Sequence, residues 1–195
     1  MNILVVIGHG RTDSLCHHLQ RSVCSALTGL GADVRVEDLL ADGFDPVLRI
    51  PEGASHALPE HGGEIARRYQ EDVGWMDAVV IVHPVWWFAP PAILKGWVDQ
   101  VLVDGVAIKQ PPEGPPKPLL GGRRALVVQT FNAPRVVDRL LTRGLTGSFW
   151  RRAVLASVGI DKVERLAFYE VDGISEKALA DAERKIQRAV ERLVR

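Results

Sequence analysis

Two stretches of this chain carry residues that could do chemistry, and both read as loops. The first is His83-Pro84-Val85-Trp86-Trp87-Phe88-Ala89, three large aromatics in a row with Pro90 and Pro91 closing the run. Adjacent Trp, Trp and Phe would also suit a core, where aromatics dominate. Bounded by prolines, however, they make a poor strand or helix, and loops lie at the surface. Large aromatics on such a loop suggest a platform for a flat ring. The second stretch is Gly8-His9-Gly10-Arg11-Thr12-Asp13-Ser14, polar and glycine-containing, just ahead of a helical pattern. Backbone N–H groups and the dipole at a helix start attract an anion, and the hydroxyls of Thr12 and Ser14 add donors. Asp13 or Ser14 also suits the plain role of N-cap. The spacing is neither GxxxxGK[ST] nor GxGxxG, because the third glycine position of the latter is Asp13.

Other chemistries find little support. No Ser-His-Asp or paired-carboxylate arrangement stands out, so no residue is assigned as catalytic. His17-His18, His56 and His61 lack the spacing of metal ligands and read as surface or loop histidines, so no metal site is expected. Cys16 and Cys24 lie eight residues apart within one helical pattern, too far along a straight helix for a disulfide.

The elements that must position these loops follow from hydrophobic periodicity. Ile3–Ile7 and Ala78–Val82 are unbroken apolar runs, which suit strands buried on both faces of a parallel sheet. Each empties into one of the two loops. After the first loop, Leu15, Leu19, Val23, Leu27 and Leu30 mark a helix stopped by Gly29 or Gly31. After the second, Ile93, Leu94, Trp97, Val98, Val101 and Leu102 form a wide helical stripe. Trp97 adds more apolar area than one sheet face requires, which predicts a two-fold dimer burying this helix. Asp33–Asp38 reads as a shorter strand, Val47–Gly63 as an aperiodic connection, and Glu64–Trp75 as a helix. Lys109–Arg124 is a proline-rich excursion. Arg124–Gln129 is a fourth strand with Thr130-Phe131-Asn132-Ala133-Pro134 as its exit loop. Val136–Gly159 holds a helix around Phe149, Trp150, Val154 and Leu155. Val163–Val171 is a fifth strand, and Ser175 caps a last helix buried through Leu179, Ala182, Ile186, Ala189 and Leu193.

Strands alternating with helices predict an α/β fold: one doubly wound, five-stranded parallel sheet of order 2-1-3-4-5, helices on both faces, as a single domain over 1–195. In that order the switch point lies between the first and third strands, so both suggestive loops face one crevice. The chain has 195 residues, a formal net charge of zero and 47% hydrophobic residues. Zero net charge without a Lys/Arg stripe leaves no footprint for nucleic acid. No apolar run approaches the ~20 residues of a membrane span, and no leader pattern is seen at the start. A cytoplasmic protein without membrane insertion is expected.

HPVWWFAPPAILKGWVDQVL, and PAILKGW most of all, resembles the signature of the NAD(P)H:quinone oxidoreductase family, the flavodoxin-like flavoproteins that include DT-diaphorase. Asp38-Leu39 followed by Phe44-Asp45-Pro46 fits the same pattern. The resemblance implies a homodimeric flavoenzyme, with FAD or FMN as cofactor and NAD(P)H as co-substrate, that reduces a quinone-like small molecule. His9, Thr12, Ser14, Leu15 and Cys16 would then hold the flavin's phosphate side, although the family often has Asn where Cys16 stands. Pro84, Val85, Trp86, Trp87 and Phe88 would border the isoalloxazine, and Thr130, Phe131 and Asn132 would approach its pyrimidine end. Trp87, Phe88 and Ile108 would line the substrate slot. Three departures from the family stand out: Phe131-Asn132 in place of a glycine pair, aliphatic Gly105-Val106-Ala107-Ile108 where aromatics are common, and neither Tyr nor His between Thr130 and Trp150 to relay charge. The same fold serves electron carriers, which tend to be acidic, and some family members are ancillary subunits of potassium-efflux systems.

Overall fold

The computed structural model describes residues 1–50, 52 and 63–195. Five strands form one parallel sheet: β1 (Asn2–Ile7), β2 (Asp33–Asp38), β3 (Ala78–Pro84), β6 (Arg124–Thr130) and β7 (Lys162–Phe168), in the order β2-β1-β3-β6-β7. β4 (Ile108–Lys109) and β5 (Lys117–Pro118) pair antiparallel as a separate small hairpin inside the proline-rich excursion. The expected order is therefore met, with both central loops leaving the carboxyl edge.

Side chains on a strand alternate between faces, and two cores result. Leu4, Val6, Val79, Ile81, Ala125 and Val127 point to one face. There they meet α2 (Gly63–Trp75), α3 (Ala92–Val101) and the helical stretch 149–158. Ile3, Val5, Ile7, Val80, Val82, Leu126 and Val128 point to the other, against α1 (Leu15–Gly29) and α5 (Glu176–Val194). Ser14 and Ser175 are the N-caps of α1 and α5, each accepting a backbone N–H three residues on. No helix among the described residues is long and apolar enough to cross a membrane.

Four readings need correction. His83 is no loop residue: β3 runs on to Pro84, and the His83 side chain is fully buried. Its Nε2 accepts from Trp150 Nε1 (2.8 Å) and from the Gln129 side-chain amide (3.1 Å). Its Nδ1–H donates to the Pro84 carbonyl. Those bonds hold the ring neutral, and burial lowers its pKa to about 4. Trp97, expected at a dimer surface, is buried within the chain, and its Nε1 donates to Glu37 Oε2 at 2.6 Å.

The helix expected over Val136–Gly159 is broken. Wide π turns occupy Val137–Leu141 and Phe149–Leu155, with α4 (Leu145–Ser148) between them and a 3-10 turn at Ala156–Val158. Arg143 and Gly144 both adopt positive φ, which no α-helix accommodates. The buried Asp138 gathers this stretch onto β7, accepting from Arg165 (3.0 Å) and Tyr169 (2.7 Å). Lastly, His17 is buried rather than at the surface. The connection 47–63 falls mostly outside the described residues, and His56 and His61 fall there entirely.

Candidate functional site

The exit loops of β1, β3 and β6 converge at the switch point on one cleft of about 390 Å³, within the ~300–1,000 Å³ of small-molecule sites. His9, Gly10, Arg11, Ser14, Leu15 and Cys16 come from the first loop and the start of α1. Pro84 and Trp86 come from the β3 end, and Thr130 and Asn132 from the β6 end. Val171 and Asp172 complete the wall. Nothing in the sequence marks these last two. They arrive through the backbone pairing of Phe131 with Phe168 and Val171, which only the parallel register of β6 and β7 brings about.

At the helix end, Ser14 is almost fully buried, and its Oγ lies 2.8 Å from His17 Nδ1. His17 Nε2 in turn meets Asp38 Oδ2 at 3.1 Å. A Ser-His-Asp chain is thus present where the sequence suggested none, assembled from β2, α1 and the loop before it. The N–H groups of Leu15 and Cys16, which open α1, have no acceptor among the described residues. His9 Nδ1 accepts the Arg11 N–H at 3.0 Å. Burial is the main reason its pKa is lowered, helped by nearby His17 and Arg11. Cys16 Sγ sits 3.3 Å from Thr130 Oγ1, and burial pushes its thiol up to about 11, so it is an unreactive spacer.

At the aromatic end, the backbone closes on itself. Trp86 N–H bonds to Ala89 O at 3.1 Å, and Ala89 N–H to Trp86 O at 3.0 Å, with Trp87 (φ 50°) and Phe88 (φ 59°) both left-handed between them. That is the pattern of a type I′ turn, whose centre normally takes Asn-Gly. Two aromatics there are strained by roughly 1–3 kcal/mol each. Trp86 leans edge-on to His9 (5.6 Å between centroids) and packs over Gly10, where a Cβ would lie 3.2 Å from its ring. Trp87 is 95% exposed.

The expected site residues divide accordingly. His9, Ser14, Leu15, Cys16, Pro84, Trp86, Thr130 and Asn132 line the cleft. Thr12 is exposed beside it. Val85 is held to β6 by its N–H on Thr130 O. Trp87 and Phe88 stand at the rim turn. Phe131 faces inward, stacked on Tyr169 at 4.8 Å with both backbone groups bonded. Ile108 packs against the interior of the α3 face. Tyr169, absent from the sequence expectations, hydrogen-bonds Asp138 under that stack.

PAILKGW serves the fold. A Cβ on Gly96 would lie 2.4 Å from Pro46 O, and Gln100 Nε2 donates to Asp45 O at 2.8 Å. A Cβ on Gly8 would lie 2.8 Å from Leu94 Cβ. The two signature stretches therefore lock to each other and to the β1 exit, and so hold the cleft's floor.

An elongated ligand with an anionic end and a planar end fits this donor set. Unpaired helix N–H groups and Ser14 stand at one end, aromatic rings at the other, and backbone between. Comparison with known proteins places the fold. A family model described as flavodoxin-like fold matches residues 1–192. The orangutan (Pongo abelii) ribosyldihydronicotinamide dehydrogenase [quinone] is 31% identical over 125 residues, 56% of this chain and 54% of that one. The chain thus spans about half the length of such relatives. Among solved structures, Smu.1420 from Streptococcus mutans superposes with a TM-score of 0.85 at 26% identity, covering 98% of this chain and 100% of that one. An FMN-dependent NADH-azoreductase from Bacillus anthracis, solved with FMN, shares the fold at a TM-score of 0.76 and 18% identity, with 100% of both chains covered. With the sheet order, the switch-point cleft and a match along nearly the whole chain, the protein belongs to the Flavodoxin_2 family of flavodoxin-like proteins.

Proposed function

We propose that this protein is a flavin-dependent NAD(P)H oxidoreductase that reduces a quinone or a similarly flat acceptor. The observation that carries the reading is the single cleft at the β1/β3 switch point, with the start of α1 at one end and the aromatic turn at the other. When bound, the flavin supplies two-electron transfer between a nicotinamide and a quinone. The chain's own residues bind and orient. Ser14 and the N–H groups of Leu15 and Cys16 hold the phosphate. Pro84, Trp86, Thr130 and Asn132 flank the ring system. The rim turn at Trp87 and Phe88 keeps a flat acceptor stacked within reach, which is positioning rather than proton transfer.

Trp87, at 95% exposure, and the exposed Leu140, Leu141 and Leu145 support a two-fold dimer in which a partner covers apolar side chains that this chain leaves open. Trp97 takes no part in it.

Purified protein tests the reading directly. It is expected to carry, or take up, one flavin per chain, released by heat and identified by mass as FMN or FAD. Failure to bind either at micromolar concentration refutes it.

A further inference from the structure

His17 is a buried titratable group for which the proposed reaction has no use, yet it is held on both ring nitrogens. An ionised carboxylate only accepts, so Asp38 Oδ2, 3.1 Å from Nε2, places a hydrogen on that nitrogen. The other carboxylate oxygen is occupied by the Ala41 N–H at 3.2 Å. Asp38 is thereby fixed at the end of β2. What stays open is the single hydrogen between His17 Nδ1 and Ser14 Oγ, 2.8 Å apart.

Ser14 has one proton to give, and its oxygen already accepts the His17 N–H as helix cap. If His17 is neutral, its bare Nδ1 takes the Ser14 proton, and the hydroxyl offers the cleft only lone pairs. If His17 is an imidazolium, Nδ1–H donates to Ser14 Oγ, and the Ser14 proton is free to turn into the cleft. An anion at the start of α1 needs the second arrangement. The titratable groups that touch His17 are Asp38 on β2 and His9, edge-on at 6.0 Å. On the next residue of α1, His18 pairs with Glu183 of α5. An incoming phosphate adds negative charge beside the Ser14–His17 pair.

We propose that His17, oriented by Asp38, is a positioning residue for a phosphate-bearing ligand. It takes a proton from solvent on Nδ1 as the ligand binds, and so turns the Ser14 hydroxyl into a donor. Coupling is reciprocal, so the ligand raises the proton affinity of His17 by the factor that the proton raises ligand affinity. The inference rests on the flavin reading of the cleft.

Titration calorimetry at about pH 7.5, in two buffers of different ionisation heat, counts the protons taken up on binding. The probes are FMN and riboflavin, which lacks the phosphate. Wild type is expected to take up more protons with FMN than with riboflavin. That excess should shrink in His17→Gln and in Asp38→Asn, vanish in Ser14→Ala beyond the phosphate's own share, and persist in Ser14→Thr. Because FMN's phosphate titrates alike in every variant, the wild-type-minus-variant difference isolates His17. FMN affinity of His17→Gln should fall several-fold against wild type. Equal uptake by wild type and both His17→Gln and Asp38→Asn overturns the inference alone. Failure of wild type to bind FMN, riboflavin or FAD overturns the inference together with the flavin reading.

Discussion

Trp87 and Phe88 are where a local rule is broken for a purpose. A two-residue turn with both φ angles positive is built for glycine, and here it carries two of the bulkiest side chains, one of them almost fully exposed. Trp87 is almost fully exposed, so its indole points to what it meets outside the chain, acceptor or partner. Relief of that strain should be visible. Trp87→Gly is expected to raise the urea midpoint by an amount worth about 1 kcal/mol, while reduction of a benzoquinone slows by roughly tenfold, about 1.4 kcal/mol of barrier. A variant that loses stability instead would mean that the indole packs within the fold. Phe88→Ala should slow quinone turnover similarly without releasing flavin, since the phosphate end is held by Ser14 and α1. Stopped-flow reoxidation separates that effect from reduction by NAD(P)H.

Between β2 and α3 the chain makes a joint that the sequence showed only as two motifs. Gly96 admits the Pro46 backbone, Gln100 holds Asp45 O, and Trp97 donates to Glu37. Gly96→Ala forces a methyl into a backbone carbonyl and should cost about 1–3 kcal/mol, the usual penalty of overpacking. Glu37 is the joint's weak point. It is buried, its Oε1 has no partner among the described residues, and burial raises its pKa well above the carboxylate range despite the Trp97 bond. In the folded state it therefore keeps its proton over a range where the unfolded chain has lost it. Unfolded Glu37 binds fewer protons there, so its contribution to stability falls as pH rises from about 4, by up to about 1.4 kcal/mol per unit, until the raised folded pKa is reached. Glu37→Gln mimics the neutral acid. It should match wild type in urea midpoint near pH 4 and exceed it increasingly toward neutrality; parallel curves would show that Glu37 ionises in the fold without penalty. Elements like this one mark the border of what could be read beforehand. β1, β3 and β6 were legible because strands buried on both faces are apolar throughout, whereas the helix read over 136–159 failed because Asp138 is drawn onto Arg165 and Tyr169 and because Arg143 and Gly144 take positive φ, neither of which leaves a periodic pattern.

At the scale of the whole molecule, topology did most of the work of placing the site. Once five alternating strands take the order 2-1-3-6-7, the first and third strand ends must share a crevice, and eight of the thirteen expected cofactor contacts do line it: His9, Ser14, Leu15, Cys16, Pro84, Trp86, Thr130 and Asn132. What escaped was contributed by distant chain: Asp38 reaching His17, Val171 and Asp172 carried in by β7, and Trp97 turned inward by Glu37. Such pairings depend on register and on buried polar partners, which leave no local pattern. A ligand that bridges the ends of β1, β3 and β6 should stabilise all of them together. A flavin at a hundredfold its Kd adds about 2.7 kcal/mol to the folded state, which for a chain of this length is roughly 5–11 °C in Tm. The dimer should add to this in a way that depends on protein concentration. Apoprotein is expected to melt earlier and to sediment as a dimer at micromolar concentration, and Trp87→Glu should shift that equilibrium toward monomer. Trp97→Glu, by contrast, places a second carboxylate against Glu37 and should unfold the chain at any concentration. A Trp97→Glu protein that stays folded as a monomer would return that side chain to the interface and overturn the division drawn between the two tryptophans.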